Sequence, residues 1–443
     1  MSALDNAITR KVAWRLVPLL CIAYVINALD RYNVSIAALT MNKDLGFTAS
    51  VYGLAAGSYF WSYVLCQVPS NLMLRKFGAR AWLSVIMGIW GLVSASTALV
   101  TGEASFVAVR FLLGIAEAGY FPGVAYFMIC WFPARNRGRM MGFFFAASSI
   151  SSVIGAPISV NLLRLDSLMG LAGWQWLFII EGIPAILLAI GGYFVLRDHP
   201  EDAPWLTPAE KTWLRDRLDS EVARKPAEGR GILASIFNPR IALLTIAFAF
   251  TLYGVYSLSF FLPLIIKGLG LSNLAVGYVT ALPSLCAALG QIAISRSSDL
   301  SGERFWHVIF AVTIGGFGML AAAFSLGNVY VAMAAFCIAF AGLASTLPVF
   351  WNLPTAYFGA ATAAAGIGAI NTIGNSSGYL APQFMGLLHD ATGGYTVPLL
   401  VAAGLALTAP VLIGLSGIKR YLHDSTQSVS HQGRSRLTDI ARG

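Results

Sequence analysis

Apolar residues run along this chain in long stretches, broken by short polar turns. Crossing the hydrocarbon of a bilayer takes about 20 such residues in a helix. The pattern predicts twelve crossings, at roughly 14–38, 51–74, 81–100, 105–130, 140–164 and 174–196, then 241–264, 275–296, 307–326, 329–353, 362–388 and 395–417. The expected fold class is an all-α membrane protein of twelve transmembrane helices in two six-helix, pseudo-symmetric halves. The expected division is a six-helix bundle over 1–196, a cytoplasmic linker over 197–240, a second bundle over 241–417 and a cytoplasmic tail over 418–443. Within the linker, Thr207 precedes Pro208 and Glu210. An N-cap, a first-turn proline and an acidic first turn predict a short amphipathic helix there.

The halves resemble each other weakly. Gly78 and Gly302 follow the second and eighth spans, 224 positions apart. Asp166 and Asp390 follow the fifth and eleventh, again 224 apart. Duplicated transporter halves show such repeats, with substrate bound between them near the bilayer midplane.

Composition sharpens the class. The chain has 443 residues, of which 57% are hydrophobic and 11% charged. A soluble domain carries about 25% charge. With a mean hydropathy of +0.71, the chain cannot cover an aqueous surface. That excludes a soluble enzyme and a disordered chain. The net charge of +9 does not point to nucleic acid, because the basic residues flank apolar runs. If both termini are cytoplasmic, 24 of the 29 basic residues fall on the cytoplasmic side, and only Lys43, Arg164 and Lys267 fall opposite. The positive-inside bias therefore orients the chain. The first apolar run is too long for a cleaved signal peptide, so it is read as a retained span. Cys21, Cys66, Cys130, Cys286 and Cys337 lie inside apolar runs and form no CxxC; they read as packed hydrophobes. No HExxH, nucleophile–base pair or phosphate loop is present, so neither a metal nor a cofactor is expected, and the chain does not read as an enzyme.

The chemistry lies in the few ionisable residues placed in spans: Asp30, Arg31, Arg110, Glu117 and Glu181. Each costs roughly 2.5–3.5 kcal/mol to insert. Asp30 and Arg31 project about 100° apart on a helix, so they need not pair with each other. Arg110 and Glu117 are seven residues apart, so they share a face about 10 Å apart along the axis. That separation suits a third group between them. One reading is a buried ion network that fixes packing; the other is transport. A substrate anion that occupies an arginine would free a neighbouring carboxylate to take a proton, so anion and proton would bind together. On this reading Arg31 is the substrate-anion ligand, Asp30 and Glu117 carry protons, and Arg110 orients or modulates Glu117. Glu181, beside Gly182 and Pro184, reads as locally structural. Asn371, Asn375 and the tyrosines Tyr24, Tyr63, Tyr253 and Tyr256 either glue helices or line a cavity.

The strings Leu29-Asp30-Arg31-Tyr-Asn-Val, Pro69-Ser-Asn-Leu with Phe77-Gly78-Ala-Arg80, Gly114-Ile-Ala-Glu117-Ala-Gly-Tyr-Phe-Pro-Gly123, Trp131-Phe-Pro-Ala-Arg135, Trp176-Leu-Phe-Ile-Ile-Glu181-Gly and Pro200-Glu-Asp-Ala-Pro-Trp span nearly the whole chain. Together they resemble the major facilitator superfamily, and within it the anion:cation symporters; the Pro69-Ser-Asn-Leu variant is similar to the tartrate, phthalate and hydroxyphenylacetate permeases. The resemblance implies rocking-bundle import of a small organic carboxylate with protons, by a monomer in the lipid bilayer of a bacterial inner membrane. It also implies roles for Asp30, Arg31, Arg110 and Glu117, with Tyr63, Asn371 and Asn375 in the binding region. The superfamily's loop after the second span usually carries an acid where Arg75 stands here, which puts a charge-relay gate in that loop in doubt. The alternatives are a uniporter or exchanger of the same anions and a non-transporting membrane sensor.

Overall fold

A computed structural model describes residues 3–222, 238–357 and 360–420. The end of the linker and the tail beyond 420 lie outside the described residues. The first half contains α1 (Ala3–Tyr32), α2 (Val34–Leu45), α3 (Ala49–Phe77), α4 (Ala79–Ser96), α5 (Glu103–Glu117), α6 (Tyr120–Trp131), α7 (Ala134–Leu162) and α8 (Gly173–Val195). The linker forms α9 (Pro208–Val222). The second half contains α10 (Pro239–Gly268), α11 (Asn273–Ser301), α12 (Phe305–Phe324), α13 (Val329–Phe350), α14 (Asn352–Tyr357), α15 (Ala360–Asn375), α16 (Ser377–Thr392) and α17 (Thr396–Leu415). Pairing α1 with α2, α5 with α6, α13 with α14 and α15 with α16 gives the twelve crossings.

Among the described residues nine helical segments are long and apolar enough to cross a membrane on their own pattern. Polar residues weaken two of the others: α3 carries Gln67, Ser70 and Asn71, and the eleventh crossing carries Asn371, Asn375, Ser376 and Ser377. The helices also overrun the predicted ends. The first crossing is helical over 39 residues, Ala7–Leu45, well past the expected end near 38. Hydropathy marks only the part that meets hydrocarbon, whereas backbone hydrogen bonding continues into the polar flanks.

Packing groups the described residues into two compact units. One takes those of Met1–Lys225, Ser259–Leu285 and Tyr379–Gly393; the other takes those of Pro226–Leu258, Cys286–Gly378 and Gly394–Gly443. The first unit therefore contains pieces of the second half of the sequence. Small residues let them approach. A Cβ on Gly53 would collide with the Pro382 carbonyl, one on Gly57 with the Tyr379 backbone, and one on Gly386 with the Ala49 backbone. The Tyr52 hydroxyl donates to the Phe260 carbonyl at 2.8 Å. At the start of α3, Thr48 caps the helix, and the Asp390 carboxylate accepts from the N–H groups of Ala49 (3.2 Å) and Ser50 (2.8 Å). An anion is favoured at a helix N-terminus. Burial pushes the Asp390 carboxyl up, but hydrogen bonds from Ser50, His389 and Thr48 outweigh it and bring it down to about 2.

The α3–α4 turn is a single residue, Gly78, at φ 82°, a left-handed conformation that glycine tolerates. The Asp198 carboxylate lies against it and accepts the Arg80 N–H at 2.9 Å. An acid from the linker thus sits at the turn where the sequence places Arg75 in the usual acidic position. The linker helix begins with the expected cap, and Thr207 and Glu210 bond each other's backbone N–H reciprocally. Glu210 also pairs with Lys11 at 2.8 Å, and that hydrogen bond holds its carboxyl below the usual range.

Candidate functional site

Three crossings break beside the residues singled out above. The first breaks at Asn33, two residues after Arg31; the fourth at Ala118–Gly119, immediately after Glu117; the eleventh at Ser376, immediately after Asn375. A break frees backbone groups, which hydrocarbon would penalise unless protein side chains or water satisfy them.

Arg110 satisfies the first break. It is fully buried, and its guanidinium donates to the carbonyls of Asp30 (3.5 Å) and Arg31 (3.2 Å). Its hydrogen bonds go to the end of α1, while its charge also acts on Glu117, the residue the sequence reading assigned to it. The third group expected between Arg110 and Glu117 is Tyr59 from α3. Its ring lies 5.5 Å from the Arg110 guanidinium, and its hydroxyl donates to Glu117 Oε2 at 2.5 Å. The same hydroxyl accepts from Arg31 Nε at 3.0 Å. Arg31 also reaches Glu117 Oε2 directly at 3.6 Å. Arg31, Tyr59 and Glu117 therefore form one closed polar triangle. Tyr63, one turn along α3, stacks on Tyr59 with ring centroids 5.6 Å apart and places its own ring 5.1 Å from Arg31.

Exposure is uneven across this group. The Arg31 side chain is 19% exposed and that of Glu117 is sealed. The Asn27 amide interacts with the Glu117 carboxylate, and Arg110 Nε is buried without a hydrogen-bond partner.

Asp30 points elsewhere, as its neighbour's geometry requires. Its carboxylate accepts from Ser94 (2.7 Å) and the Trp90 indole (2.9 Å), one turn apart on α4, and from Asn33 (3.5 Å). Asn33 also donates to Glu181 at 2.9 Å, and Ser159 of α7 donates to the other Glu181 oxygen at 2.7 Å. Glu181 thus ties three crossings together.

In the other unit, the Tyr256 hydroxyl donates to Asn375 Oδ1 at 2.8 Å. The Asn375 amide donates to the carbonyl and side-chain oxygens of Asn371 at 2.8 and 3.0 Å. Ser377, just past the break, donates to the Ala249 carbonyl at 2.7 Å. Tyr253, on the same helix as Tyr256, is buried, whereas Tyr24, in the first unit, stacks on Phe144 at 4.0 Å.

Sequence reasoning missed Tyr59, Trp90, Ser94, Asn33 and Ser159. Helical spacing offered a signal for some of them. Tyr59 precedes Tyr63 by four, and Trp90 precedes Ser94 by four, so each pair shares a face. Among the described residues no three His, Cys, Asp or Glu side chains lie close enough to hold a metal.

Long apolar helices, two of them broken next to one buried ion pair, define a multi-pass membrane protein. The chain belongs to the Major Facilitator Superfamily, whose family model matches residues 20–382. It is a transporter and not an enzyme. It is 42% identical over 411 residues to an Agrobacterium vitis protein named "Putative tartrate transporter", covering 92% of this chain and 91% of that one. It is 37% identical to the quinolone resistance transporter of Acinetobacter baumannii (91% and 94% covered). It is 36% identical to the inner membrane transport protein RhmT of Escherichia coli (93% and 96% covered). Its fold is similar to the crystal structure of a D-xylose–proton symporter, with a TM-score of 0.73 at 15% identity, covering 90% of this chain and 97% of that one.

Proposed function

We propose that this protein is an anion:cation symporter that imports a small organic carboxylate together with protons by alternating access. One observation carries the reading. Arg31 is the partly exposed member of the triangle, and it is held by a buried carboxylate and a tyrosine hydroxyl. A substrate carboxylate has the geometry to take the guanidinium bidentately. Glu117 then loses its cationic partner, and a buried carboxylate without one favours the protonated form. Substrate binding and protonation therefore assist each other. Tyr63, Asn371 and Asn375 supply further substrate contacts, Asp30 is a second proton carrier, and Arg110 positions the Arg31 segment. The relative named for tartrate supports a small carboxylate as the substrate class. The different names of the other relatives leave the particular acid open.

The remaining parts of the reading follow from the sequence. They are two six-helix bundles at 1–196 and 241–417, a linker over 197–240, cytoplasmic termini, and a monomer in a bacterial inner membrane. The test uses proteoliposomes and a panel of carboxylates that includes tartrate. Wild type should accumulate substrate under an inward proton gradient and lose accumulation with an uncoupler. Glu117→Gln should abolish accumulation yet retain substrate counterflow. Accumulation that survives the uncoupler, or that Glu117→Gln leaves intact, would refute proton symport through Glu117 and leave a uniporter or exchanger.

A further inference from the structure

The buried charges near the first break do not balance. Asp30, Glu117 and Glu181 face two arginines, Arg31 and Arg110. Arg31 pairs with Glu117, and Arg110 spends its hydrogen bonds on backbone carbonyls. Among the described residues neither Asp30 nor Glu181 has a basic side chain in salt-bridge contact, yet both reach the same Asn33 nitrogen. The elements packed around them bring no relief. On α4 the charged residue is Arg80, eleven positions from the Gly91 that abuts Gly182. Arg137 and Arg139 lie at the far end of α7, and Arg164, beyond its near end, is exposed. Lys43 is exposed at the end of α2, and Asp44 beside it adds negative charge and binds the Trp174 indole. Two buried carboxylates that share one amide donor, neither with a cation in salt-bridge contact, disfavour a second negative charge.

We infer that Asp30 and Glu181 hold one proton between them, resting on Glu181 Oε1, which makes the sixth crossing a proton-binding element. The donor chemistry selects the carboxyl. Asp30 is met by the Trp90 indole N–H and the Asn33 amide, which can only donate, and by Ser94. Arg110 also lies on its backbone carbonyl. Glu181 is met by one obligate donor, Asn33, and by the Ser159 hydroxyl, which can turn and accept. When the O–H bond forms on Asp30, the one on Glu181 breaks, so the pair carries a single proton on either member.

The role of this proton in transport rests on the proposed symport, but its presence does not. Infrared difference spectra of the purified protein in lipid nanodiscs, without substrate or gradient, test it directly. Wild type at neutral pH should show a protonated-carboxyl C=O band that Glu181→Gln removes and Ser159→Ala shifts. If neither substitution alters a protonated-carboxyl band, the inference is overturned. Should Glu181→Gln fail to fold, Ser159→Ala decides alone. In proteoliposomes, Glu181→Gln should flatten the pH dependence of uptake while counterflow persists. A wild-type pH profile would overturn the coupling role, whatever Glu117→Gln does.

Discussion

Replacing Tyr59 with Phe removes one oxygen and leaves the rest of the triangle in place. That oxygen gives a 2.5 Å hydrogen bond to Glu117 and accepts a 3.0 Å one from Arg31, and the side chain is fully buried. Hydrogen bonds to charged groups are worth about 1.5–3 kcal/mol each, so losing both costs about 3–6 kcal/mol if nothing is regained. Arg31 and Glu117 can close their 3.6 Å gap and recover part of one bond. The expected loss is therefore about 2–4 kcal/mol. The phenyl ring keeps its stack with Tyr63 and its place over both arginines, so the fold should survive. Tyr63→Phe is the control. It preserves the same ring contacts, and its cost should stay within about 0.5 kcal/mol, although substrate affinity should fall. Reversible unfolding in mixed micelles, run on wild type and both variants, measures the difference. If Tyr59→Phe and Tyr63→Phe prove equally stable, the triangle is not held by the Tyr59 hydroxyl and the argument fails.

Two further outcomes follow from packing and capping. In Gly114→Ala the new methyl group meets the Tyr59 carbonyl and Ser62, so α3 must shift. Overpacking of this kind costs about 1–3 kcal/mol. Uptake should drop at least tenfold, whereas Gly404→Ala, with open space around it, should behave like wild type. Asp390→Ala should cost about 0.5–2 kcal/mol by uncapping α3, towards the lower end because its side chain is 31% exposed. Its folded-state carboxyl titrates near 2, below the unfolded value of about 3.9, so its stabilisation is complete above the unfolded value. That contribution disappears as pH falls through about 2. Unfolding midpoints of wild type and Asp390→Ala should therefore differ at neutral pH by a gap that closes as pH falls towards about 2, and a gap that persists there would count against the cap.

The class of protein was legible in the sequence because a bilayer imposes a linear rule. Any twenty-residue stretch without charge is a candidate crossing, whatever its partners, and charges left inside such stretches stand out against that background. Asp30, Arg31, Arg110 and Glu117 were found in this way. Helical spacing also indicated that Asp30 and Arg31 need not pair with each other, and their hydrogen bonds go to different partners. The partners were a different matter. Tyr59, Trp90 and Ser94 are ordinary residues of apolar helices, and what makes them matter is the rotation and depth of α3 and α4 against α1 and α5. Those are set by side-chain packing between segments distant in sequence. The same holds for Asp198 at the Gly78 turn, more than a hundred residues away along the chain. It holds for Glu181 too, which Asn33 links to Asp30 although the two carboxylates are far apart in sequence. The chain by itself determined where costly charges enter the membrane; tertiary structure decided which of them are neutralised and which must share a proton, because electrostatic partnership depends on distance in space.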